Sequence, residues 1–593
     1  MRPFEHLPIP FPCDYDPGPA FFYKNIVNPL IPDIIKLSET GLHIDQNAVE
    51  DLRRTVEDVL TEVDAKLLRN PLVQKYQKVK EKKVQKKHYD KSVQAVRSAE
   101  HYLKDYAATV EHRTAVVNNY LEGIGKSSDI KDKWTVNDLK KYLVFNDDVF
   151  LQRVTDKSIS KNNPHIKAGM IALAELKAEL WNRPRYDKAN SKAVVEPFNM
   201  GSDKQKQEFF SMLGIEPLSV SDKTGEGSWS RDNIEEIKKQ TPDTETELHE
   251  FFDCLIDHSY GGIIKSNFLK AFDKFTIDNV LYGNVKLFGA KSFRPTSNSP
   301  NLLNMPSTKS KYAKPLKRSF VAPKGKLIYA IDLSALEDRV IANLSGDKNK
   351  INIFVEGLDG HSLNACGYFK DTVENLLGEF PDVVSQVKAF MAAVDADDKT
   401  IIKIRQKSKA PTFKLAYGGF PDAHKGGVIT QEIFDNYHNL LYPGITDYRE
   451  NYVLKTAHEQ GYIHLGLGCR LYTDDANKDI RTLNNATVQF WSILTLIAIN
   501  EINYRAKEAG LEERVIVCST IYDSIYFYVD EDPEVIKWLN DTAVEVLCAD
   551  YLKEQVVKNE AEGEIGLNWA DLVKVKNGAT VEDIKGAIEK VYE

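Results

Sequence analysis

The stretch Lys326-Leu-Ile-Tyr-Ala-Ile-Asp332-Leu-Ser-Ala-Leu-Glu337-Asp-Arg339 decides the fold of this chain. It opens with a short apolar run containing β-branched residues, which predicts a buried strand. Apolar residues then recur at helical spacing as far as Gly346, so Asp332 lies where a strand ends and a helix begins. Two interpretations are open: the carboxylate binds a divalent metal at the lip of a sheet, or it caps the helix, where Asp is favoured.

A second stretch bears on that choice: Val515-Ile-Val-Cys-Ser-Thr-Ile-Tyr522-Asp523-Ser524-Ile-Tyr-Phe-Tyr-Val529. Apolar, β-branched residues on both sides of one acid predict two strands folded back at Tyr522-Asp523. Burying a lone carboxylate is costly unless it is paired or bound to metal. With the acid of the first stretch, it indicates a shared pair of Mg2+ ions, which clamp the attacking and leaving oxygens in phosphoryl transfer.

The bulk composition is that of an ordinary soluble protein. With 593 residues, 42% hydrophobic and 28% charged, the chain should form several domains. A net charge of -9 argues weakly against nucleic acid, although a global sum hides local stripes. Six cysteines without a CxxC pattern indicate neither a zinc site nor a disulfide framework. No signal peptide or spanning apolar run is visible, so we expect a cytoplasmic protein with no membrane partner.

Two polar stretches have candidate contacts with phosphates. A basic run at 75–91 is typical of a solvated helix face, or else of a helix that contacts a duplex backbone; its lysines include Lys82, Lys83, Lys86 and Lys87. A long loop from Arg294 to Pro306 is rich in Asn, Ser, Thr and Pro and suits phosphate or base-edge contact; its polar residues include Thr296 and Asn304.

A stripe of residues four apart is the most informative helical pattern; it comprises Arg405, Lys409, Phe413 and Tyr417. Two cations followed by two aromatics suit a triphosphate at one end and a nucleobase at the other. The alternative is a basic helix whose aromatics face the core. Pro411 should bend or weaken this helix.

Two further groups have open interpretations. Arg481, Asn485 and Gln489 repeat the spacing of four residues, which suits minor-groove hydrogen bonding or, alternatively, satisfied buried amides. His361 follows a helix start and is either a phosphate contact or an ordinary histidine of a first turn.

Taken in chain order, the motifs resemble those of the family A, polymerase-I-like DNA polymerases. The resemblance extends roughly from Asn28 to Trp569. Asp-x-Ser-x-x-Glu-x-Arg at 332–339 is similar to motif A, Arg-x3-Lys-x3-Phe-x3-Tyr-Gly at 405–418 to motif B, and Tyr-Asp-Ser at 522–524 stands at motif C. The resemblance implies an α+β right-hand fold, with a palm containing an antiparallel sheet and helical fingers and thumb. The implied parts are 1–45, an N-terminal arm and palm-associated segment; 46–255, the thumb, with an unassigned insertion at about 130–195; 256–340, the first part of the palm; 341–478, the fingers; and 479–593, the second part of the palm and the tail.

The resemblance also implies roles in template-directed DNA synthesis from dNTPs on a primer-template. Asp332 and Asp523 would be the catalytic carboxylates, and with the backbone carbonyl of Leu333 they would hold two Mg2+ ions, for which Mn2+ could substitute. The implied nucleotide contacts are Arg405, Lys409 and His361 on the triphosphate, Phe413 against the sugar and base, Tyr417 beside the templating position, and Glu337 as the steric gate against ribonucleotides. The implied DNA contacts are Arg294, Thr296, Asn304, Arg481, Asn485, Gln489, Lys82, Lys83, Lys86 and Lys87.

The sequence departs from the family pattern in its motifs and at the start of the chain. Motif C usually reads His-Asp-Glu, so Ser524 leaves the third carboxylate missing. Leu333, Ala335 and Phe293 replace a usual Tyr, Gln and Gly, and such divergence suggests a bacteriophage or other mobile-element enzyme acting in the host cytoplasm. The thumb-like region begins near residue 45, which predicts polymerisation without proofreading unless another chain supplies it or the sequence is a fragment of a longer protein; a separate exonuclease or processivity factor could be a partner.

Two rival functions stay open at this point. One is a phage-type single-subunit RNA polymerase, against which Glu337 as a steric gate argues. The other is a catalytically inactive protein that only binds primer-template DNA, which the missing third acid would allow.

Overall fold

The computed structural model describes most of the chain outside two long segments; the described residues are 17–83, 118, 122, 132, 197–218, 227–306, 310–416, 419–421, 429–552 and 554–593. They belong to two compact units. The first consists of Met1–Asp64, Arg231–Gln240 and Asp253–Glu593, and the second of Ala65–Ser230 and Thr241–Phe252. Across the described ranges, we find no helix with the length and apolar character needed to cross a membrane.

The strands are short outside one sheet. In chain order they are β1 (Leu42–His43), β2 (Thr276–Ile277), β3 (Val280–Leu281), β4 (Asn284–Lys286), β5 (Thr296–Asn298), β6 (Lys326–Leu333), β7 (Tyr462–Gly466), β8 (Cys469–Tyr472), β9 (Val515–Ile521), β10 (Ser524–Asp530), β11 (Ala561–Gly566) and β12 (Leu572–Val575).

Helices make up most of the rest. They are α1 (Pro19–Phe22), α2 (Asn28–Thr40), α3 (Gln46–Arg69), α4 (71–83), α5 (Asp203–Met212), α6 (Arg231–Gln240), α7 (Thr246–Ile263), α8 (Lys270–Phe275), α9 (Ala313–Arg318), α10 (Leu336–Ser345), α11 (Lys348–Val355), α12 (Gly360–Tyr368), α13 (Lys370–Leu377), α14 (Val383–Asp395), α15 (Lys399–Ala416), α16 (Gln431–Asp435), α17 (Pro443–Asp447), α18 (Lys455–Gln460), α19 (Ala476–Gln489), α20 (Ile493–Glu508), α21 (Pro533–Leu547) and α22 (Val581–Tyr592).

The largest sheet has five antiparallel strands in the order β12-β11-β6-β10-β9, with β6 at its centre. Tyr329 and Ile331 of β6 face a core that includes α20 and α21. Ile328 faces a second core that includes α3 and α8. The continuous apolar run of β6 is explained by this burial on both faces, since a strand with one wet face would alternate.

A helical region from α10 to α17 has a core of its own, in which Leu363, Phe390, Ile401 and Tyr437 are buried. In the second unit the core is aromatic. Phe209 stacks on Phe251 with ring centroids 4.1 Å apart, and Phe210 stacks on Trp229 at 4.2 Å. Each such ring pair stabilises the unit beyond what the burial of its apolar area contributes.

The two stretches that predicted the fold form the expected elements. The α+β class is confirmed, the first stretch is β6 followed by α10, and the second is the β9–β10 hairpin. The helix-cap interpretation of Asp332 is wrong. Asp332 is still paired within β6, and the residue at the N-cap of α10 is Ala335, at φ 50°, whose side chain makes no capping hydrogen bond.

Two details concern helices with predicted contacts. Helix α15 continues through Pro411 and does not end there. A 3-10 turn at Phe490–Ser492 separates α19 from α20. The predicted insertion at about 130–195 lies outside the described residues except for residue 132. The domain boundaries stay predictions.

Candidate active site

The register of the central sheet brings the two predicted catalytic acids together. Strand pairing places Asp332 opposite Ser524. The residue before Ser524 is Asp523, which lies in the turn of the β9–β10 hairpin. The backbone N–H of Leu333 donates to the carbonyl oxygen of Asp523 at 3.1 Å. Ser524 Oγ donates to Asp332 Oδ1. Both carboxylates therefore lie at the same edge of one sheet.

The hairpin turn has two residues and an unusual backbone conformation. Tyr522 takes φ 53°, in the left-handed region. A positive φ at the first position of a two-residue turn suits the right-handed twist of the flanking strands. Asp523 therefore lies at the tip of a tight hairpin, and the two paired strands that flank it set its position.

Asp523 is a half-buried carboxylate whose surroundings favour its neutral form. Burial raises the pKa of Asp523 to about 6, the charge of Arg294 opposes this rise, and the charge of Asp332 adds to it. Among the described residues, no donor reaches the buried Oδ1 of Asp523. A divalent cation would satisfy this oxygen, so the residues present fit the predicted metal.

The site offers two carboxylates and not three. In the part of the chain that the structure describes, no group of three or more His, Cys, Asp or Glu side chains is arranged to hold a metal ion. Ser524 stands where motif C of the family usually has an acid, and its hydroxyl donates a hydrogen bond to Asp332.

Asp523→Asn is expected to stabilise the metal-free protein at pH 8. A folded-state pKa of about 6, above the ordinary 3.8, means that the ionised form destabilises the fold. This penalty is absent below about pH 4, grows between about pH 4 and 6, and is complete above that, at up to about 3 kcal/mol. Urea unfolding in EDTA at pH 4 and pH 8 measures it. An equal gain at both pH values would contradict the assignment.

Glu337 and Arg294 lie beside the two acids. Glu337 is in the first turn of α10, and its carboxylate is paired with the guanidinium of Arg294. That guanidinium also lies over the ring of Tyr522, 5.4 Å from its centroid. Arg294, Thr296 and Tyr522 line one small groove. Two residues predicted to contact DNA thus border the turn that carries Asp523.

A cavity of about 560 Å³ opens next to Asp523. Three other residues with predicted roles line it, namely Glu337, His361 and Asn485. The polar residues that line it without having been predicted are Asp338, Lys350, Asp359, Asn364, Thr412, Tyr437, Tyr442, Arg449 and Asn484. Its volume is in the range typical of small-molecule sites.

The predicted triphosphate contacts meet at the facing helices α12 and α15. Arg405 Nε and Nη2 donate to Asp359 Oδ2 and Oδ1, both at 2.8 Å. Burial alone would raise the pKa of Asp359, but the hydrogen bonds from Arg405 and Ser362 lower it to about 2. Burial lowers the pKa of His361, the charge of Asp359 opposes this, and the charges of Lys409 and Arg405 lower it further. Lys409 and Arg405 are therefore close enough to His361 for their charges to favour the neutral form of its ring.

The remaining predicted residues are more scattered. Arg481 is exposed, with its guanidinium 6.0 Å from the ring centroid of Phe420, and Gln489 is the half-buried last residue of α19. Lys82 and Lys83 are exposed at the end of α4 in the second unit. Lys86, Lys87 and Tyr417, and the side chains of Asn304 and Phe413, lie outside the described residues.

Sequence reasoning missed Asp359 and Asn364. The Asp-x-x-Ser pattern at 359–362 signals a helix N-cap, and Asp359 does accept from the N–H of Ser362 at 2.8 Å. Its pairing with Arg405 joins positions 46 residues apart, so no local pattern could have shown it.

Comparison with known proteins agrees with the motifs. DNA polymerase I of Chloroflexus aurantiacus is 25% identical over 403 residues, covering 64% of this chain and 38% of that protein. The thermostable DNA polymerase I of Thermus caldophilus is 24% identical over 356 residues, covering 57% and 38% respectively. The chain thus spans less than half the length of these relatives. A solved structure, the POL domain of Pol1 from M. smegmatis in complex with DNA primer-template and dNTP, has 19% identity and a TM-score of 0.48, covering 77% of this chain and 73% of that chain.

Residues 171–571, more than half of the chain, match the family model described as DNA polymerase family A. The match confirms the predicted fold class, an α+β right-hand polymerase. On this match, the chain belongs to DNA polymerase family A.

Proposed function

We propose that this chain is a template-directed DNA polymerase that adds dNTPs to the 3′ end of a primer. The observation that carries the proposal is the meeting of Asp332 and Asp523, far apart in the sequence, at one sheet edge beside a nucleotide-sized cavity. The name DNA polymerase I of the relatives supports it.

Within this proposal, the chain's own groups bind and orient the substrates. Arg405 and Lys409 bind the triphosphate as cations of α15, and His361 of the facing helix α12, whose pKa is lowered, binds it as a neutral hydrogen-bond donor. Glu337 lines the cavity as the steric gate. Asn485 also lines it, on the side of α19, where a primer-template would contact the helix.

The predicted Mg2+ ions fit this site. Asp332 and Asp523, with the backbone carbonyl of Leu333, would hold two of them, since Asp523 Oδ1 is buried and no donor in the described ranges reaches it. When bound, the ions would supply activation of the primer 3′-hydroxyl and neutralisation of the triphosphate. Mn2+ prefers the same oxygen ligands.

Primer extension tests the proposal. With Mg2+, dNTPs and a primed template, we expect template-directed extension that stops when EDTA is added. Extension with rNTPs instead would favour the RNA polymerase alternative, and tight primer-template binding without extension would favour an inactive binding protein.

A primer with a 3′ mismatch tests the further prediction that this polypeptide does not proofread. We expect the mismatched end to stay intact during incubation without dNTPs, and its shortening would contradict the prediction. On the ground of the motif departures alone, we also propose a role in copying a bacteriophage or mobile-element genome, in which a separate exonuclease or processivity factor could take part.

A further inference from the structure

Polar contacts join helices α12 and α15 along their length. Besides the pair of Asp359 and Arg405, Ser408 Oγ donates to the carbonyl of His361 at 2.9 Å. One turn further on, Asn364 Nδ2 donates to Thr412 Oγ1 at 3.0 Å. Ser408 is fully buried and Asn364 is 3% exposed. The two helices that carry the predicted triphosphate contacts are therefore held in one register.

Asp359, the first residue in these contacts between α12 and α15, accepts two sets of hydrogen bonds. Its Oδ2 accepts from Ser362 N–H and Ser362 Oγ, which caps α12. The same carboxylate holds the guanidinium of Arg405 in a bidentate pair. His361 lies in the helical turn that Asp359 caps. One side chain thus bonds both to the Arg405 guanidinium and to the helical turn that carries His361.

The pairing uses one edge of the Arg405 guanidinium, whose side chain is 23% exposed. Asp359 accepts from one edge, Nε and Nη2, which uses two of the five N–H donors of an arginine. A second anion can therefore bind the other edge without displacing Asp359. The pair also removes the rotational freedom of a long side chain before the ligand arrives, which lowers the entropic cost of binding.

We propose that Asp359 is a positioning residue for the triphosphate of the incoming nucleotide: it holds Arg405 and the His361 turn of α12 in the geometry that binds phosphate. The inference rests on the proposed function and extends it to a residue outside the three motifs. Its opposite would be an autoinhibitory role, in which Asp359 competes with the triphosphate for Arg405.

Asp359→Asn separates the two roles. Asparagine caps a helix about as well as aspartate, but it cannot make the charged bidentate pair. We expect KM for dNTPs to rise about tenfold while kcat changes less than about threefold, since binding and not chemistry is affected. An unchanged or lower KM would overturn the proposal, and a lower KM would indicate competition.

Asp382→Asn is the matched control. Asp382 caps α14 through Ser385 with the same two hydrogen bonds that Asp359 makes to Ser362. We expect it to leave both constants unchanged. In an Arg405→Ala background, Asp359→Asn should cause no further rise in KM, because it acts through Arg405; an additional tenfold rise would contradict the positioning role.

A binding measurement tests the inference independently of the proposed function, because it does not require primer extension. In it, dATP is titrated calorimetrically into the complex of the protein with primer-template DNA whose primer ends in a dideoxynucleotide. We expect Asp359→Asn to weaken binding about tenfold. If the wild type binds dATP but does not extend primers, the proposed function fails while this comparison still decides the role of Asp359. Equal affinities in the two proteins would overturn the inference.

Discussion

Asp523→Asn is expected to slow primer extension about a thousandfold or more, which corresponds to roughly 4 kcal/mol in the activation barrier. The amide keeps the size of the side chain but removes the charge that a divalent cation requires. Among the described residues, no group of three or more possible metal ligands is found, and Ser524 stands where a third acid would be, so we expect no other side chain to replace Asp523. Single-turnover extension under saturating dNTPs measures the effect directly.

Binding and remote-charge controls make this result interpretable. Fluorescence anisotropy should show primer-template binding within about threefold of wild type, since loss of this charge does not destabilise the fold and Asp523 is not among the predicted DNA contacts. Asp541→Asn removes an aspartate on α21 that pairs with Lys537, and it should extend normally. An Asp523→Asn rate within tenfold of wild type would contradict the catalytic assignment.

Glu337→Ala is expected to increase ribonucleotide incorporation relative to deoxynucleotide incorporation by about a hundredfold. Glu337 lines the cavity next to Asp523, so its removal opens space where a 2′-hydroxyl would otherwise clash. The ratio of kcat/KM for dATP to that for ATP, on one primed template, measures the change in discrimination.

Two further variants separate the gate from its neighbours. Asp338→Ala removes the adjacent carboxylate, which lines the same cavity and pairs with Lys350 at 2.8 Å; discrimination should be unchanged. Arg294→Ala releases Glu337 from its ion pair and tests whether that pair sets the gate. Retained discrimination in Glu337→Ala would exclude the steric role.

Local patterns predicted the strands that carry Asp332 and Asp523, because each strand depends on residues adjacent in sequence. The apolar run of β6 and the hairpin around Asp523 each follow from β-branched residues next to a change of period. That Asp332 caps a helix was an equally local inference, and it was wrong because strand pairing extends past Asp332 before α10 begins.

The contacts that complete the site could not be predicted in this way. Asp359 with Arg405, and Arg294 with Glu337, join positions whose proximity depends on how helices and loops pack. The cation stripe on α15 was visible from spacing, but the carboxylate facing it was not. Side chains that line the cavity, such as Asn364, come from helices whose patterns are typical of core packing.

The two-residue turn between β9 and β10 makes this site sensitive to the number of residues as well as to their chemistry. Asp523 lies in the turn, next to the pair of Ser524 and Asp332, so losing one residue at Tyr522 would shift the register of the hairpin and move Asp523 relative to Asp332. Tyr522 and Ser524 show that the neighbours of the acid can be exchanged. We therefore expect substitutions at this hairpin to be tolerated better than insertions or deletions, because a change of length alters the strand register.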